Sequence, residues 1–474
     1  MSSYTVPFVI SGEERLTENT FEVKSPDTGK FLHRCSIATE ADAVAAINAA
    51  AAAGQQWANM PAAERRDILI RAADIMDKRR DELAGYMMDE VAAARGWADF
   101  NLNLVIDMCK DVAGRVSAVE GTVPPCQPGL TTMVVKEPYG VVLAIAPWNA
   151  TYILGTRSVL FPIAAGNTVV FKGSETAPRA HRAIVSVLEE AGVPKGVVNY
   201  IVTDPAHAPA VTEALIANPN IKKINFTGST AVGRIIAKLA GQYLKPVVLE
   251  LGGKAPAIVW EDADLDLAAE QTTLGAFFFS GQICMSTERI IVHKKISEAF
   301  QEKLLGVVEK SFPHTGDALV LINAQSVDKN KRLIKDAVSK GASVLNGDVD
   351  AEQGSKTRLR PFVIGKVTSD MDLYKLESFG PSVSLIEVES EEEALRIAND
   401  TEYGLTSAVF TENLRVGLRF ARGIETGAVH INNMTIHDEM TLPHGGVKAS
   451  GFGRFNSLPG VEEWVRTKTI TWRN

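Results

Sequence analysis

The residues with the most chemical promise lie in the stretch Phe277-Phe278-Phe279-Ser280-Gly281-Gln282-Ile283-Cys284-Met285-Ser286-Thr287-Glu288-Arg289. An apolar aromatic run, suited to a buried helix or strand, breaks at Gly281 and then presents one cysteine among small and polar neighbours. A thiol at the end of an apolar tunnel, with backbone N–H groups around it, suits a nucleophile whose thiolate must be stabilised and reached by a small substrate. The same pattern fits a core cysteine that packs as a small hydrophobe.

Other segments offer chemistry that would complement such a thiol. Asn149, in Pro147-Trp148-Asn149, carries the amide donor that an oxyanion site needs beside a backbone N–H; it also fits a plain turn. Glu250, in Glu250-Leu251-Gly252-Gly253-Lys254, is a carboxylate at a strand end whose flanking glycines would let it swing as a general base. A pairing with Lys254 is the alternative. Lys172 can hold a ribose hydroxyl or a phosphate. Glu175, three residues on, can accept from a ribose 2′-OH and repel a 2′-phosphate, or the two can form a surface ion pair. Gly228 to Gly233 fits a phosphate-binding turn at a helix N-terminus, and equally a glycine turn capped by Ser229 or Thr230. It is not the G-x-G-x-x-G fingerprint.

Alternating elements must position these groups. Val141–Ala146, Thr168–Phe171, Val197–Val202, Ile221–Phe226 and Pro246–Leu251 read as buried strands, with Arg179–Ala191, His207–Ala217 and Gly233–Ala240 as helices. That alternation predicts a parallel sheet covered on both faces and joined by right-handed crossovers. Loops after such strands share one crevice. A second α/β region runs from about 255 to 450, with strands at Ala257–Trp260, Ile290–Val292 and Val383–Ile386 and helices at Asp264–Phe278 and Ile296–Ser311. Ahead of both lie short strands over 5–36 and helices at Pro61–Arg79, Arg80–Arg95 and Ala98–Val116. Leu130–Pro138 alternates as a strand between breakers and could stand apart as an arm. Lys468–Trp472 is a strand-like end that could pair with another element or another subunit.

At 474 residues the chain is long enough for two or three domains. A net charge of −8 without a dense basic run argues against a nucleic-acid partner. Cys35, Cys109, Cys126 and Cys284 lie far apart with no C-x-x-C. Neither a zinc site nor a disulfide framework is expected, and a reducing compartment is. Without a secretory signal or an uninterrupted apolar run of about 18 residues, the expectation is a soluble cytoplasmic protein that does not enter a membrane.

In their order the motifs Pro147-Trp-Asn149, Lys172-Gly-Ser-Glu175, Phe226-Thr-Gly-Ser-Thr230, Glu250-Leu-Gly-Gly-Lys254, Gly281-Gln-Ile-Cys284 and Glu377-Ser-Phe-Gly-Pro381 closely resemble the aldehyde dehydrogenases over essentially the full chain. The resemblance implies that Cys284 attacks the aldehyde carbon, giving a thiohemiacetal whose oxyanion meets Asn149 and the Cys284 backbone N–H. It implies hydride transfer to NAD, then hydrolysis of the thioester by water that Glu250 activates. Ile145, Pro147, Trp148, Lys172, Ser174, Glu175, Gly228, Ser229, Leu251, Glu377 and Phe379 would contact the cofactor. Lys172 and Glu175 would meet the adenosine ribose, Gly228 and Ser229 the pyrophosphate, Glu377 the nicotinamide ribose. Glu175 favours NAD over NADP. The implied fold is α/β: a variant Rossmann NAD domain (1–118 and 139–249), a catalytic domain (250–452) and a small β oligomerisation arm (119–138 and 453–474). A homodimer or homotetramer is implied.

Two stretches, Asn149–Arg157 and Gly281–Arg289, resemble the salicylaldehyde, benzaldehyde and vanillin branch, as do His430–Glu439 and Pro443–Arg454. Ala150 leaves space beside Asn149. Arg157, two helical turns on, lies roughly on the same face about 11 Å away. It could hydrogen-bond a phenol or phenolate on an aromatic aldehyde, or pair with a carboxylate and only shape the wall. Tyr152, Ile153, Phe278, Ile283 and Met285 are candidate substrate walls. The chain departs from the branch at Thr151, where proline is frequent, and at His444, where phenylalanine is common. A CoA-acylating dehydrogenase, which typically lacks the base at Glu250, and a catalytically silent NAD-binding scaffold are the alternatives. A cysteine hydrolase would need a histidine base, and none pairs recognisably with Cys284.

Overall fold

A computed structural model describes residues 4–351 and 353–473. Two large sheets dominate it. The first has eight strands in the order Gly451–Phe452, Val247–Glu250, Ile221–Thr227, Val141–Ile145, Thr168–Lys172, Val198–Ile201, Phe8–Ile10 and Glu13–Arg15. The five inner strands from Val247–Glu250 to Val198–Ile201 pair in parallel. Val141–Ile145 and Thr168–Lys172 are buried at every position. Strands covered on both faces have no reason to alternate, so they read as continuous apolar runs. The expected elements are present with ends shifted by a few residues. The second sheet has seven strands, in the order Ser343–Asn346, Phe362–Gly365, Ser382–Val388, Thr287–His293, Ala255–Val259, Thr406–Phe410 and Ala428–Ile431.

Leu130–Pro138 pairs antiparallel with Val465–Arg473 from Leu130–Arg473 to Pro138–Val465. The C-terminal strand thus finds its partner within the chain. No helix among the described residues is long and apolar enough to cross a membrane.

Several local expectations change. The helix beginning at Arg80 ends at Val91, because Ala92 turns left-handed with φ 53°, and a new helix starts at Arg95. The helix leading to the thiol ends at Phe277, and a tight turn over Phe278–Gly281 follows. The break therefore comes before Gly281. Phe279 and Ser280 take φ values of 46° and 60°, a conformation that costs a non-glycine residue energy and needs support from its surroundings. Ser280 Oγ supplies part of it by donating to the Val320 carbonyl at 2.9 Å. Gly281, at φ 71°, is packed so closely that a Cβ would sit 2.3 Å from the Gly380 oxygen. Glu250, expected at a strand end, is the last residue of Val247–Glu250, paired with Thr227 and, on the other side, with Gly451. Its backbone is clamped, so any swing belongs to the side chain. Glu250 and Gly451–Phe452, expected in the 250–452 unit, thus belong to the first sheet.

Candidate active site

The loops after Val141–Ile145, Ile221–Thr227 and Val247–Glu250 open onto one cleft of about 890 Å³. It is lined by Pro147, Trp148 and Asn149, by Thr227, Gly228 and Ser229, by Glu250, Leu251 and Gly252, and across from them by Glu377, Ser378 and Phe379. A smaller cavity of about 370 Å³ lies behind it, walled by Trp97, Phe100, Leu104, Ala150, Ile153, Ile283 and Met285. Asn149, Leu154, Glu250 and Cys284 border both. The thiol therefore sits at the junction of a large cleft and a small, mostly apolar chamber.

At that junction Cys284 Sγ donates to Glu250 Oε1 at 3.0 Å. Burial, with the charge and hydrogen bond of Glu250, pushes the thiol pKa well above its ordinary value, while Arg157 pulls it down. In this arrangement the sulfur keeps its proton, with a carboxylate placed to receive it. Glu250 Oε2 is buried without a hydrogen-bond partner. An orphaned carboxylate oxygen at a cavity wall invites a water or substrate group. Asn149 Nδ2 donates to the Gln282 carbonyl at 3.0 Å, leaving one amide hydrogen uncommitted. Its own carbonyl accepts from Trp97 Nε1 at 2.9 Å. Trp97 comes from a helix far earlier in the chain, and nothing in the sequence singled it out.

The cleft suits a dinucleotide. The helix Thr230–Gln242 starts directly after Gly228 and Ser229, and Ser229 Oγ caps it by accepting from Val232 N at 3.4 Å. The phosphate-type turn is thus only Gly228–Ser229, and Thr230–Gly233 is the first helical turn. Its unpaired N–H groups and dipole favour an anion. Glu377 Oε1 accepts from Gly253 N at 2.9 Å, and burial and Glu288 raise its pKa to about 7. Gly252 leaves room for that carboxylate, because a Cβ there would lie 2.8 Å from it. Trp148 and Phe379 meet edge to face at 6.1 Å across the cleft.

Lys172, Ser174 and Glu175 follow the neighbouring strand, outside the lining of the main cleft. Burial lowers the Lys172 pKa and Glu175 raises it, so the two lie within electrostatic reach of each other. His181 fixes their loop: its Nδ1 accepts from Ser174 N at 3.0 Å, and burial drives its pKa to about 3, leaving it neutral. Ile145 is buried beneath the cleft and does not line it.

Lys254 does not pair with Glu250. It is buried against Glu288, whose carboxylate also accepts from Ser378 N and Phe379 N at 2.9 and 3.1 Å. Glu288 thereby ties the glycine turn to the loop bearing Glu377. Removing one member of such a buried pair costs about 3–5 kcal/mol because the other charge is left unmatched. The sequence held the signal, a charged residue in an apolar strand close to Cys284, but not the partner.

In the smaller cavity Ala150, Ile153, Ile283 and Met285 are walls. Tyr152 is not. The helix Thr151–Ala164 is buried all round, and adjacent side chains leave it in different directions. Tyr152 runs into the core and donates to the Leu83 carbonyl at 2.6 Å. Phe278 stands behind the wall, edge-on to Trp97 at 5.0 Å. Arg157 lines the cavity but its guanidinium is ion-paired to Asp438, both buried. That is the carboxylate-paired alternative. Asp438 also accepts from Asn456 Nδ2 at 2.7 Å, and His444 completes the polar side.

A model of the aldehyde dehydrogenase family matches residues 13–470. A vanillin dehydrogenase of Pseudomonas sp. strain HR199 is 44% identical over 99% of this chain and 98% of its own. The structure of a salicylaldehyde dehydrogenase from Pseudomonas putida G7, complexed with salicylaldehyde, superposes with a TM-score of 0.94 at 38% identity, covering 99% of this chain and 98% of that one. An E. coli NADP dependent enzyme superposes with a TM-score of 0.95 at 32% identity, over 99% and 98%.

Proposed function

We propose, because the chain belongs to the aldehyde dehydrogenase family, that its substrate is an aromatic aldehyde of the benzaldehyde type and its preferred cofactor NAD. The observation that carries this reading is the junction: one thiol, one carboxylate and one amide border both a small apolar chamber and a larger cleft lined by Gly228, Ser229 and Glu377. Aromatic and aliphatic side chains wall most of the chamber. Relatives described as acting on vanillin and salicylaldehyde support the same class.

Glu250 receives the thiol proton as sulfur bonds to the aldehyde carbon. The free amide hydrogen of Asn149 and the Cys284 N–H meet the oxygen that becomes negative. When bound, a nicotinamide dinucleotide supplies the acceptor for the two electrons that leave the substrate. Gly228 and Ser229 would hold its pyrophosphate, the Lys172–Glu175 pair and Glu377 its riboses, and Trp148 and Phe379 would contact its nicotinamide. After Glu250 has lost its proton, it takes one from the water that cleaves the Cys284 thioester to the acid. Arg157, held by Asp438, shapes the wall. The two-stranded ribbon of 130–138 and 465–473 is too thin to stand alone. It exposes Met133, Ile470 and Trp472, and we read it as the surface that joins copies into a homodimer or homotetramer.

Two measurements test this reading. Initial rates of reduced-cofactor formation are expected to be highest, by kcat/KM, for benzaldehyde, salicylaldehyde or vanillin, and lower for straight-chain aldehydes; the reverse ranking would sink the aromatic assignment. Glu175→Gln is expected to raise kcat/KM for NADP at least about 10-fold relative to NAD, since a carboxylate beside a 2′-phosphate costs more than about 1.4 kcal/mol. An unchanged ratio would remove Glu175 from the ribose site.

A further inference from the structure

On the cavity side that carries Arg157 stands His444. Its backbone is fixed on both sides: its N–H donates to the Phe455 carbonyl at 2.9 Å and its carbonyl accepts from Phe455 N at 2.7 Å. Its neighbours are fixed as well. Arg157 pairs with Asp438 and lies 5.4 Å over the Phe455 ring, and Asp438 takes Asn456 as a second partner. The polar side of the chamber is thus a rigid set of three groups, two of which already satisfy each other.

His444 differs from them. It is only 9% exposed and lines the cavity, and its ring nitrogens take no hydrogen-bond partner among the described residues. Burial lowers its pKa; Asp438 and Glu250 oppose that, while Arg157 and Arg454 add to it. A neutral imidazole offers one N–H donor and one bare nitrogen acceptor. Arg157 and Asp438 are committed to each other, and Asn149, Glu250 and Cys284 lie at the reacting end, so on this side of the chamber the imidazole's donor and acceptor would be left unsatisfied by an unsubstituted ring. A ring bearing a hydroxyl would answer it.

We propose that His444 is a specificity-determining residue whose imidazole hydrogen-bonds a hydroxyl on the aromatic ring of the aldehyde, setting a preference for hydroxylated over unsubstituted benzaldehydes. This rests on the aromatic reading above. Discrimination by a buried hydrogen-bonding group acts in the transition state as well as in binding, so it is read in kcat/KM.

The test compares kcat/KM for ortho-, meta- and para-hydroxybenzaldehyde with that for benzaldehyde, in the unaltered enzyme and in His444→Phe and His444→Gln. The ratio for the preferred isomer is expected to fall about 10-fold or more in His444→Phe. His444→Gln, which keeps a donor and an acceptor, should retain most of it. Competition by the matching hydroxybenzoate and by benzoate should follow the same order in the unaltered enzyme, a readout that needs no variant to fold. An unchanged ratio in His444→Phe, an equal loss in His444→Gln, or equal competition by the two acids would overturn the proposal. Turnover of straight-chain aldehydes with none of any benzaldehyde would overturn both this proposal and the aromatic reading beneath it.

Discussion

Cys284→Ala is expected to leave less than about 1% of aldehyde oxidation while the affinity for nicotinamide dinucleotide stays near that of the unaltered enzyme. The substitution removes the only sulfur at the junction of cleft and chamber. It leaves in place Gly228, Ser229 and Glu377, which line the cleft. Covalent catalysis divides one difficult step into two easier ones, and no other group at the junction can replace the bond that sulfur forms. Steady-state rates and a cofactor titration on the same preparation check this. Residual turnover above about 1%, with cofactor binding intact, would take the nucleophile away from Cys284.

Glu250→Gln is expected to separate the two halves of the reaction. In the unaltered enzyme the carboxylate accepts the thiol proton at 3.0 Å and also raises the thiol pKa. A glutamine oxygen still accepts a hydrogen bond but cannot take a proton. With the charge gone the sulfur ionises more readily, its proton passing to water in the cleft, so acylation suffers less than hydrolysis. Hydrolysis loses its general base, a step worth about 10²–10⁴-fold. Rapid mixing should therefore show a burst of reduced cofactor near one equivalent per active site, followed by slow turnover. Loss of the burst itself would count against the separation of roles. Formation of an acyl-CoA in place of free acid, in the unaltered enzyme with CoA present, would favour an acylating dehydrogenase instead.

Much of the scaffold was legible because its central strands are covered on both faces. Val141–Ile145 and Thr168–Lys172 contain little but apolar residues until the strand end, where the chain turns polar and the cleft begins. Leu130–Pro138 was equally plain, bounded by breakers and alternating in character. The turn before Cys284 was not. Phe278 and Phe279 look like continued helix, and only the packing of Gly281 against Gly380 and the bond from Ser280 to Val320 oppose it. Local propensity carries no record of such contacts.

The same limit explains what the candidate site lacked. Asn149, Glu250 and Cys284 stood out by residue type and motif. Trp97 comes from a helix far from those motifs, and Asp438 and His444, though in stretches that resemble the same branch, reach the chamber only through the fold. Tyr152 and Ile153 are adjacent, and a sequence does not show which of two neighbours on a fully buried helix turns to the cavity. Lys254 was legible as a charge near Glu250. Its commitment to Glu288 depends on two parallel strands of the second sheet lying side by side, Ala255–Val259 and Thr287–His293.

The most direct measurement is the mass of the Cys284-bearing peptide from Glu250→Gln enzyme quenched after mixing with a hydroxybenzaldehyde and NAD. The account predicts an increase equal to the hydroxybenzoyl group on Cys284, absent when NAD is withheld. Formation of reduced cofactor with no added mass on that peptide, or with the acyl group on another residue, would contradict it.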